Sequence, residues 1–418
     1  MFGFRERNYE AVRKQFRLEE EDAVLVSLAN GRRFYVGEFE TPTLEQLDDR
    51  LDGLLQTVEI TKSNECYSIN GLSGLKFNHI VADVKKLHMD PLNEDAVFQA
   101  ASQFNCLEMP NPNVTPDDGI TDYINDHTQG PICAMSCAAG TIYRNYFVNK
   151  YGQGGKKGQQ IDCLEEMGDI LENRSEEYWK MRNGYALPTK SDSMARLKLK
   201  IYRRFLLSRE PMKLLKVGVH WSTEVTNTAL ANNNDQPSHQ VTQVYSSAVP
   251  ISYASIGKMR DFEPFAKMIL DATYQCVFAV ASIKSLETKK RVKLYLTKVG
   301  GGVFGNRSRW IVDSIRRSLK KYEDFPLDVH LVHYGSLEQT YVEYLKGSEE
   351  VDLISDFILS NIDTSKLSSS STFCSSSASS NLPIGEVKSE GNEEGISTEC
   401  SEIPKDNKII SNDDINNK

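Results

Sequence analysis

The sequence predicts an α/β protein in which helices cover both faces of a mostly parallel sheet, and three observations predict it. Short runs rich in Val, Leu and Tyr alternate with helix-length amphipathic or apolar stretches, the order that parallel strands and crossover helices impose. Of the 418 residues, 39% are hydrophobic and 26% charged, so a sizeable core can form. A glycine cluster sits between a strand-like run and a helix-like one, where open α/β sheets keep their ligand sites.

The elements follow in order. Ala23–Phe39 reads as two β-type runs joined at Asn30-Gly31, a hairpin signal. Thr43-Leu44-Glu45-Gln46 has the form of a capping box opening a helix toward Leu54. Residues 1–76 are therefore expected to form a small α+β elaboration. From residue 77 the α/β core begins. Phe77–Met89 and Asp95–Ser102 read as strands, and Gln129-Gly130-Pro131 opens an Ala- and Cys-rich helix with Pro in a tolerated first-turn position. Cys133 and Cys137 fall one turn apart there and read as small packing residues rather than a redox or metal pair. Asp162–Asn183 reads as helix, Lys213–Trp221 and Gln240–Ser252 as strands, and Pro264–Lys284 as a long apolar helix. Arg291–Val299 is a strand, Arg309–Tyr322 a helix, Pro326–Tyr334 a last strand and Leu337–Leu345 a last helix. The core is expected to run over 77–360.

A Ser-rich tract, LSSSSTFCSSSASSN from Leu367 to Asn381, opens a polar tail over 361–418. That tail holds ten acids and five Lys, so it carries -5 of the net -9. Too few apolar residues remain in it to offset ordering entropy, which predicts disorder. A solvated extension is the simpler reading, with a phosphorylatable or partner-binding tail as the other.

Charge and composition also exclude. A net charge of -9 argues against generic nucleic-acid binding. No apolar run is read as span-length, and the first ten residues do not form a signal peptide, so a cytoplasmic or nuclear setting is expected, with neither secretion nor a membrane. Eight Cys with no CxxC pair fit a reduced compartment.

Three segments could carry chemistry. In Tyr295–Ile315 a strand runs into Gly300-Gly301-Gly302-Val303-Phe304-Gly305-Asn306, whose amides could wrap a diphosphate, although a plain glycine turn has the same appearance. The long loop Gln103–Pro131 carries Glu108, Asp117, Asp118, Asp122 and Asp126 with His127. Asp118, Asp122 and Asp126 have i, i+4 spacing, so they could stack on one helix face as a general acid and base or as a hard-metal site. A helix cap at Thr115-Pro116-Asp117-Asp118 with a solvated acidic face reads equally well. Finally, His220, Thr223, Glu224 and His239 could wall a pocket or be structural.

These residues resemble a known family. Ala82–Ser102 (ADVKKLHMDPLNEDAVFQAAS) resembles the start of macrodomains, the ADP-ribose-binding fold. Asp83 matches that family's adenine-recognising Asp, and Phe98–Ser102 lies where its VNAAN strand would. GGGVFGN resembles its G-V/I-F/Y-G phosphate loop. The segments ASQFNCLEM, DDGITDYINDHTQGP, VGVHWSTEV and TKVGGGVFGNRSRWI are similar to a divergent group that includes a bacterial effector ADP-ribosylhydrolase. Gln99 and Ser102 replace the two family Asn, and CLEMPNPNV replaces the glycine-rich first loop.

The resemblance implies a three-layer α/β/α macrodomain-like core with large insertions. It implies an ADP-ribose-binding protein that hydrolyses the bond between ADP-ribose and a modified protein side chain. A non-catalytic reader of ADP-ribosylated proteins and a ligand-free interaction protein are the alternatives. Asp83, Gln99, Ser102, Asn105 and Gly300, Gly301, Gly302, Val303, Phe304, Gly305 and Asn306 are then the expected ligand contacts. Asp118 and Asp126, with Asp122 next, are the expected catalytic acids, and His220 and Glu224 are held in reserve. No cofactor is required beyond ADP-ribose as ligand or product, though a divalent metal has room, and an ADP-ribosylated protein is the expected partner.

Overall fold

The computed structural model describes residues 1–21, 23–57, 61–63, 66–68, 74–205, 208–226 and 239–346. The expected tail over 361–418 lies outside them.

Seven strands form the central sheet among the described residues: β1 (Glu38–Glu40), β2 (Lys76–Val81), β3 (Val97–Ala101), β4 (Gly218–Glu224), β5 (Gln240–Ser246), β6 (Val292–Leu296) and β7 (Leu327–His333). Their spatial order is β1-β4-β5-β3-β6-β7-β2. From β5 to β2 every pairing is parallel, and β4 and β1 extend the β5 edge in antiparallel fashion. Burial explains the sequence patterns. In β7 buried and half-buried residues alternate, whereas β3, between two parallel neighbours, is buried from Val97 through Ala100.

The helices that frame the sheet and the site are α1 (Leu44–Thr57), α2 (Val84–Met89), α3 (Gln129–Ser136), α4 (Ala138–Tyr146), α5 (Met259–Thr288), α6 (Ser308–Lys321) and α7 (Gln339–Lys346). One face of the sheet is covered by α5, with α1 and α6 packed against it; α3 packs on β3 and α4 on β4, with α2 beside α3. The mixed, mostly parallel sheet between helical layers is the fold class the sequence predicts. Residues before Lys76 join it directly, since β1 pairs with β4 and α1 packs on α5.

Several local expectations hold for the stated reasons. The capping box at α1 is reciprocal: the Gln46 amide donates to Thr43 Oγ1 at 3.1 Å, and the Thr43 amide to Gln46 Oε1 at 2.9 Å. Cys133 and Cys137 are both fully buried in the core. Burial and nearby thiol or acid groups hold the Cys133 thiol protonated.

Other expectations are corrected. Phe77–Met89 is not one strand. The chain leaves β2 at Val81, and Asp83 caps α2, its carboxylate accepting from the Lys85 amide at 2.8 Å. Asp162–Asn183 is not one helix either. A short helix, Glu165–Ile170, gives way to the hairpin Trp179–Arg182 and Tyr185–Pro188, which turns at Asn183 and Gly184 with φ of +47 and +78. The Asn-Gly pair is what such a turn requires.

The Ala- and Cys-rich helix breaks at Cys137. There Thr226 Oγ1 accepts from the Ala138 amide and donates to the Ser136 carbonyl. Met259–Thr288 is also longer than expected. An 18-residue stretch of it is apolar enough to cross a membrane, and 94% of that stretch is buried inside the protein. Pro264 inside α5 cannot donate to the Arg260 carbonyl, and Lys198 Nζ takes that acceptor at 3.2 Å.

Candidate functional site

Because β2, β3, β5, β6 and β7 run parallel, their carboxyl ends open on one edge of the sheet, where backbone amides are left without sheet partners. A cavity of about 490 Å³ lies there, lined by the segments that follow β3 and β6 and by the start of α3.

One wall is the glycine loop after β6. Gly300 has φ +78, and a Cβ there would collide with Ala248. Asn306 closes the loop: its Nδ2 donates to the Val249 carbonyl at 2.9 Å and its amide to the Gly300 carbonyl at 2.9 Å. Gly302, Val303 and Phe304 line the cavity, and their amides donate to no described group. Ser308 at the start of α6 and Gly130 at the start of α3 line it too, so two helix N-termini border the same space. Free amides and helix N-termini favour an anion.

The opposite wall is the tight loop Gln103–Met109. The Gln103 amide donates to the Leu107 carbonyl at 2.9 Å, the Leu107 amide to Asn105 Oδ1 at 3.1 Å, and the Met109 amide to Gln103 Oε1 at 2.7 Å. Cys106 takes φ +60 to close it. The loop carries Glu108 to the cavity wall. Glu108 is 2% exposed, and neither carboxylate oxygen has a hydrogen-bond partner among the described residues. Its nearest cation is Arg144, with Nη2 at 3.8 Å from Oε1. Burial pushes the Glu108 carboxyl up from its ordinary 4.5 to about 8, against the pull of Arg144. A carboxyl that is protonated at neutral pH and faces a cavity can donate a proton and take it back.

The start of α3 closes on this wall. Gln129 bridges it to β3, its Oε1 accepting from the Ala101 amide at 2.9 Å and its Nε2 donating to the Gln99 carbonyl at 2.7 Å. At Gly130 a Cβ would collide with the Ala101 carbonyl and crowd Glu108. An aromatic end completes the cavity: the rings of Tyr185, Tyr253 and Phe304 stand 5.0 to 5.7 Å apart, and Tyr185 Oη donates to the Met109 carbonyl at 2.6 Å.

A second cavity, of about 670 Å³, shares Asp126 and Pro131 with the first. Phe2, Phe4, Asp83, His127 and Tyr334 are among its lining residues.

The expected ligand residues divide between the cavities and their scaffold. Gly300, Gly301, Gly302, Val303, Phe304 and Ser102 line the first cavity, and Asp83 lines the second. Gln99, Asn105, Gly305 and Asn306 are corrected to scaffold. Gln99 is wholly buried between Ser246 Oγ and the Thr297 amide; Asn105 closes the loop that carries Glu108. Gly305 faces Ser252, and Asn306 clamps the glycine loop.

The catalytic expectation is corrected further. Gly119, at φ +82, separates the 3-10 turns Pro116–Asp118 and Thr121–Asn125, so Asp118, Asp122 and Asp126 do not stack. Asp118 and Asp122 line neither cavity, and Asp118 accepts from the Thr115 amide and hydroxyl. Asp126 does line both cavities, while one of its oxygens accepts from the Thr128 amide and hydroxyl. His220 and Glu224 line neither cavity; His220 is buried against Arg144, and Glu224 accepts from the Tyr35 amide.

Glu108 was one loop acid among several in sequence. The signal that sets it apart is its place between Leu107 and Met109, an acid within an apolar run. Arg144, Tyr185 and Tyr253 carried no such mark. Among the described residues no three His, Cys, Asp or Glu side chains come together as a metal site.

No family model matches the chain, and no curated protein does. Among solved structures it is similar to the poly(ADP-ribose) glycohydrolase of Deinococcus radiodurans in complex with ADP-ribose, at 11% identity and a TM-score of 0.38 over 74% of this chain and 92% of that one. It is also similar to the poly(ADP-ribose) glycohydrolase of Thermomonospora curvata, at 12% identity and a TM-score of 0.37 over 81% and 94%. The Thermomonospora curvata enzyme bound to the inhibitor ADP-HPD gives 12% identity and a TM-score of 0.36 over the same shares. No residue role in this chain is carried over from them.

Proposed function

We propose that this protein binds ADP-ribose and hydrolyses the bond between its distal ribose and the group to which that ribose is attached on a modified protein. The observation that carries the reading is Glu108, a buried carboxyl with both oxygens unpartnered on the wall of a cavity that also holds the glycine loop. The free amides of Gly302, Val303 and Phe304 suit a diphosphate, and Lys298, paired with Glu338, stands on the same cavity wall. The second cavity, with Phe2, Phe4 and Asp83, suits an aromatic base bearing an amino group, and it shares the lining residues Asp126 and Pro131 with the first. A base, a diphosphate and a distal sugar in that order suit two adjoining cavities and the carboxyl.

In this reading Glu108, protonated at neutral pH, donates its proton to the departing oxygen as the bond to the ribose anomeric carbon breaks. The resulting carboxylate then takes a proton from the water that adds to that carbon, which restores the acid. Asp126 and Thr128, on the cavity wall, orient the sugar hydroxyls or the water.

Calorimetry with ADP-ribose tests the binding step, with Gly302→Glu as the companion, because open space surrounds Gly302 and an acid there puts charge where the diphosphate would lie. Micromolar binding, about 8 kcal/mol, lost in the variant is expected. A folded wild-type protein that gives no heat would remove the ligand. Release of ADP-ribose from a modified protein, abolished in Glu108→Gln while binding is kept, is expected of an enzyme. Turnover absent from wild type would leave a reader.

A further inference from the structure

Glu108 has a task that burial alone does not allow. A carboxyl sealed among apolar side chains keeps its proton, whereas an acid that becomes a base must also ionise. The group that lets it do so comes from α4.

Arg144 is fully buried and lines neither cavity. Its guanidinium is fixed from four sides. Nε donates to the Cys106 carbonyl at 3.1 Å, Nη2 to Thr141 Oγ1 at 3.1 Å, and Nη1 meets His220 Nδ1 at 3.4 Å. The Tyr245 ring lies under it, 3.5 Å from centroid to guanidinium carbon. So held, it remains 3.8 Å from Glu108 and cannot swing into a bidentate pair. Cys106 belongs to the loop that presents Glu108, so the same cation holds the loop and biases the acid.

We propose that Arg144 is a positioning residue for this site: acting through Glu108, it anchors the Gln103–Met109 loop and stabilises the ionised carboxylate without sharing its proton. The inference rests on the reading of Glu108 as the acid and base of the reaction. The other groups that face Glu108 are Tyr123, whose hydroxyl accepts from the Glu108 amide, with Tyr245, Cys133 and, on the cavity wall, Asp126. Burial keeps Tyr123, Tyr245 and Cys133 protonated, and burial with Arg144 keeps His220 neutral. Lys298 and Glu338 also line this cavity but pair with each other, so Arg144, at 3.8 Å, is the cation in contact with Glu108 among the described residues.

The experiment is a carbon-13 titration of full-length protein labelled at the Glu side-chain carboxyl, with the Glu108 signal assigned as the one missing from Glu108→Gln. In Arg144→Met the Glu108 carboxyl becomes at least tenfold weaker as an acid. Arg144→Lys, which keeps a charge but not the fork, moves it the same way by threefold or more and decides the matter if the Met variant does not fold. The alkaline limb of the wild-type turnover profile moves upward in step with the titration. A folded variant whose Glu108 midpoint matches wild type overturns the role of Arg144. The two failures are distinguishable: full turnover in Glu108→Gln defeats the acid-base reading, whereas a dead Glu108→Gln beside an unmoved midpoint defeats only this inference.

Discussion

Glu108 lies between Leu107 and Met109, two fully buried apolar residues, and the same burial makes its charge costly. The folded chain binds a proton at Glu108 between its ordinary 4.5 and about 8, whereas the unfolded chain releases it. Stability contributed by this group is therefore present at low pH and lost as pH rises through that window, by roughly 4–5 kcal/mol in all. Glu108→Gln has no charge to bury. Its urea midpoint is expected to match wild type near pH 5 and to exceed it near pH 9, and equal midpoints at both would show that Glu108 ionises freely. If the protonated form starts the proposed reaction, wild-type turnover falls as pH rises past about 8, and a profile flat through that pH would defeat the acid role of Glu108.

At the scale of elements, the cavity wall depends on a backbone approach that only glycine permits. Gly130 lets the start of α3 close against the Ala101 carbonyl and Glu108. Gly130→Ala must push α3 off β3, and overpacking of this kind costs about 1–3 kcal/mol. Thermal melts together with turnover check it: both fall, and Gly302→Ala, with open space around its Cβ, changes stability by less than about 0.5 kcal/mol. Equal behaviour of the two variants would mean that the α3 approach does not shape the cavity. The elements also explain what could be read in advance. The capping box at Thr43, the glycine loop and the strand runs at Asp95–Ser102, Arg291–Val299 and Pro326–Tyr334 follow local rules, and each forms where those rules say. Two elements escaped notice because a second local rule won: Asp83 caps a helix and ends β2, and Asn183-Gly184 turns what a helical period suggested was continuous.

Across the whole molecule, the two adjoining cavities predict how a ligand divides. In the proposed reading ADP-ribose spans both, and at a hundredfold excess over its dissociation constant it is expected to add about 2.7 kcal/mol of stability, read as a rise of a few degrees in melting temperature. Adenosine, which reaches only the second cavity, shifts the melt least, and ADP falls between. Equal shifts from adenosine and ADP-ribose would separate the glycine loop from binding.

The sequence by itself determined the α/β order of elements, the parallel sheet and the glycine loop at a strand end, because each is written in residues that are neighbours along the chain. Ser102, Asp83 and the loop residues from Gly300 to Phe304 could be read as cavity residues for the same reason. Only the tertiary structure decided which acid is buried without a hydrogen-bond partner on the cavity wall. Asp118 and Asp122 have the spacing of a site yet lie outside both cavities, while Glu108 is singled out by Arg144, 36 positions away, and by the burial that both share. Proton affinity depends on the dielectric and the charges around a group in space, and those surroundings are assembled from distant segments that no local pattern connects.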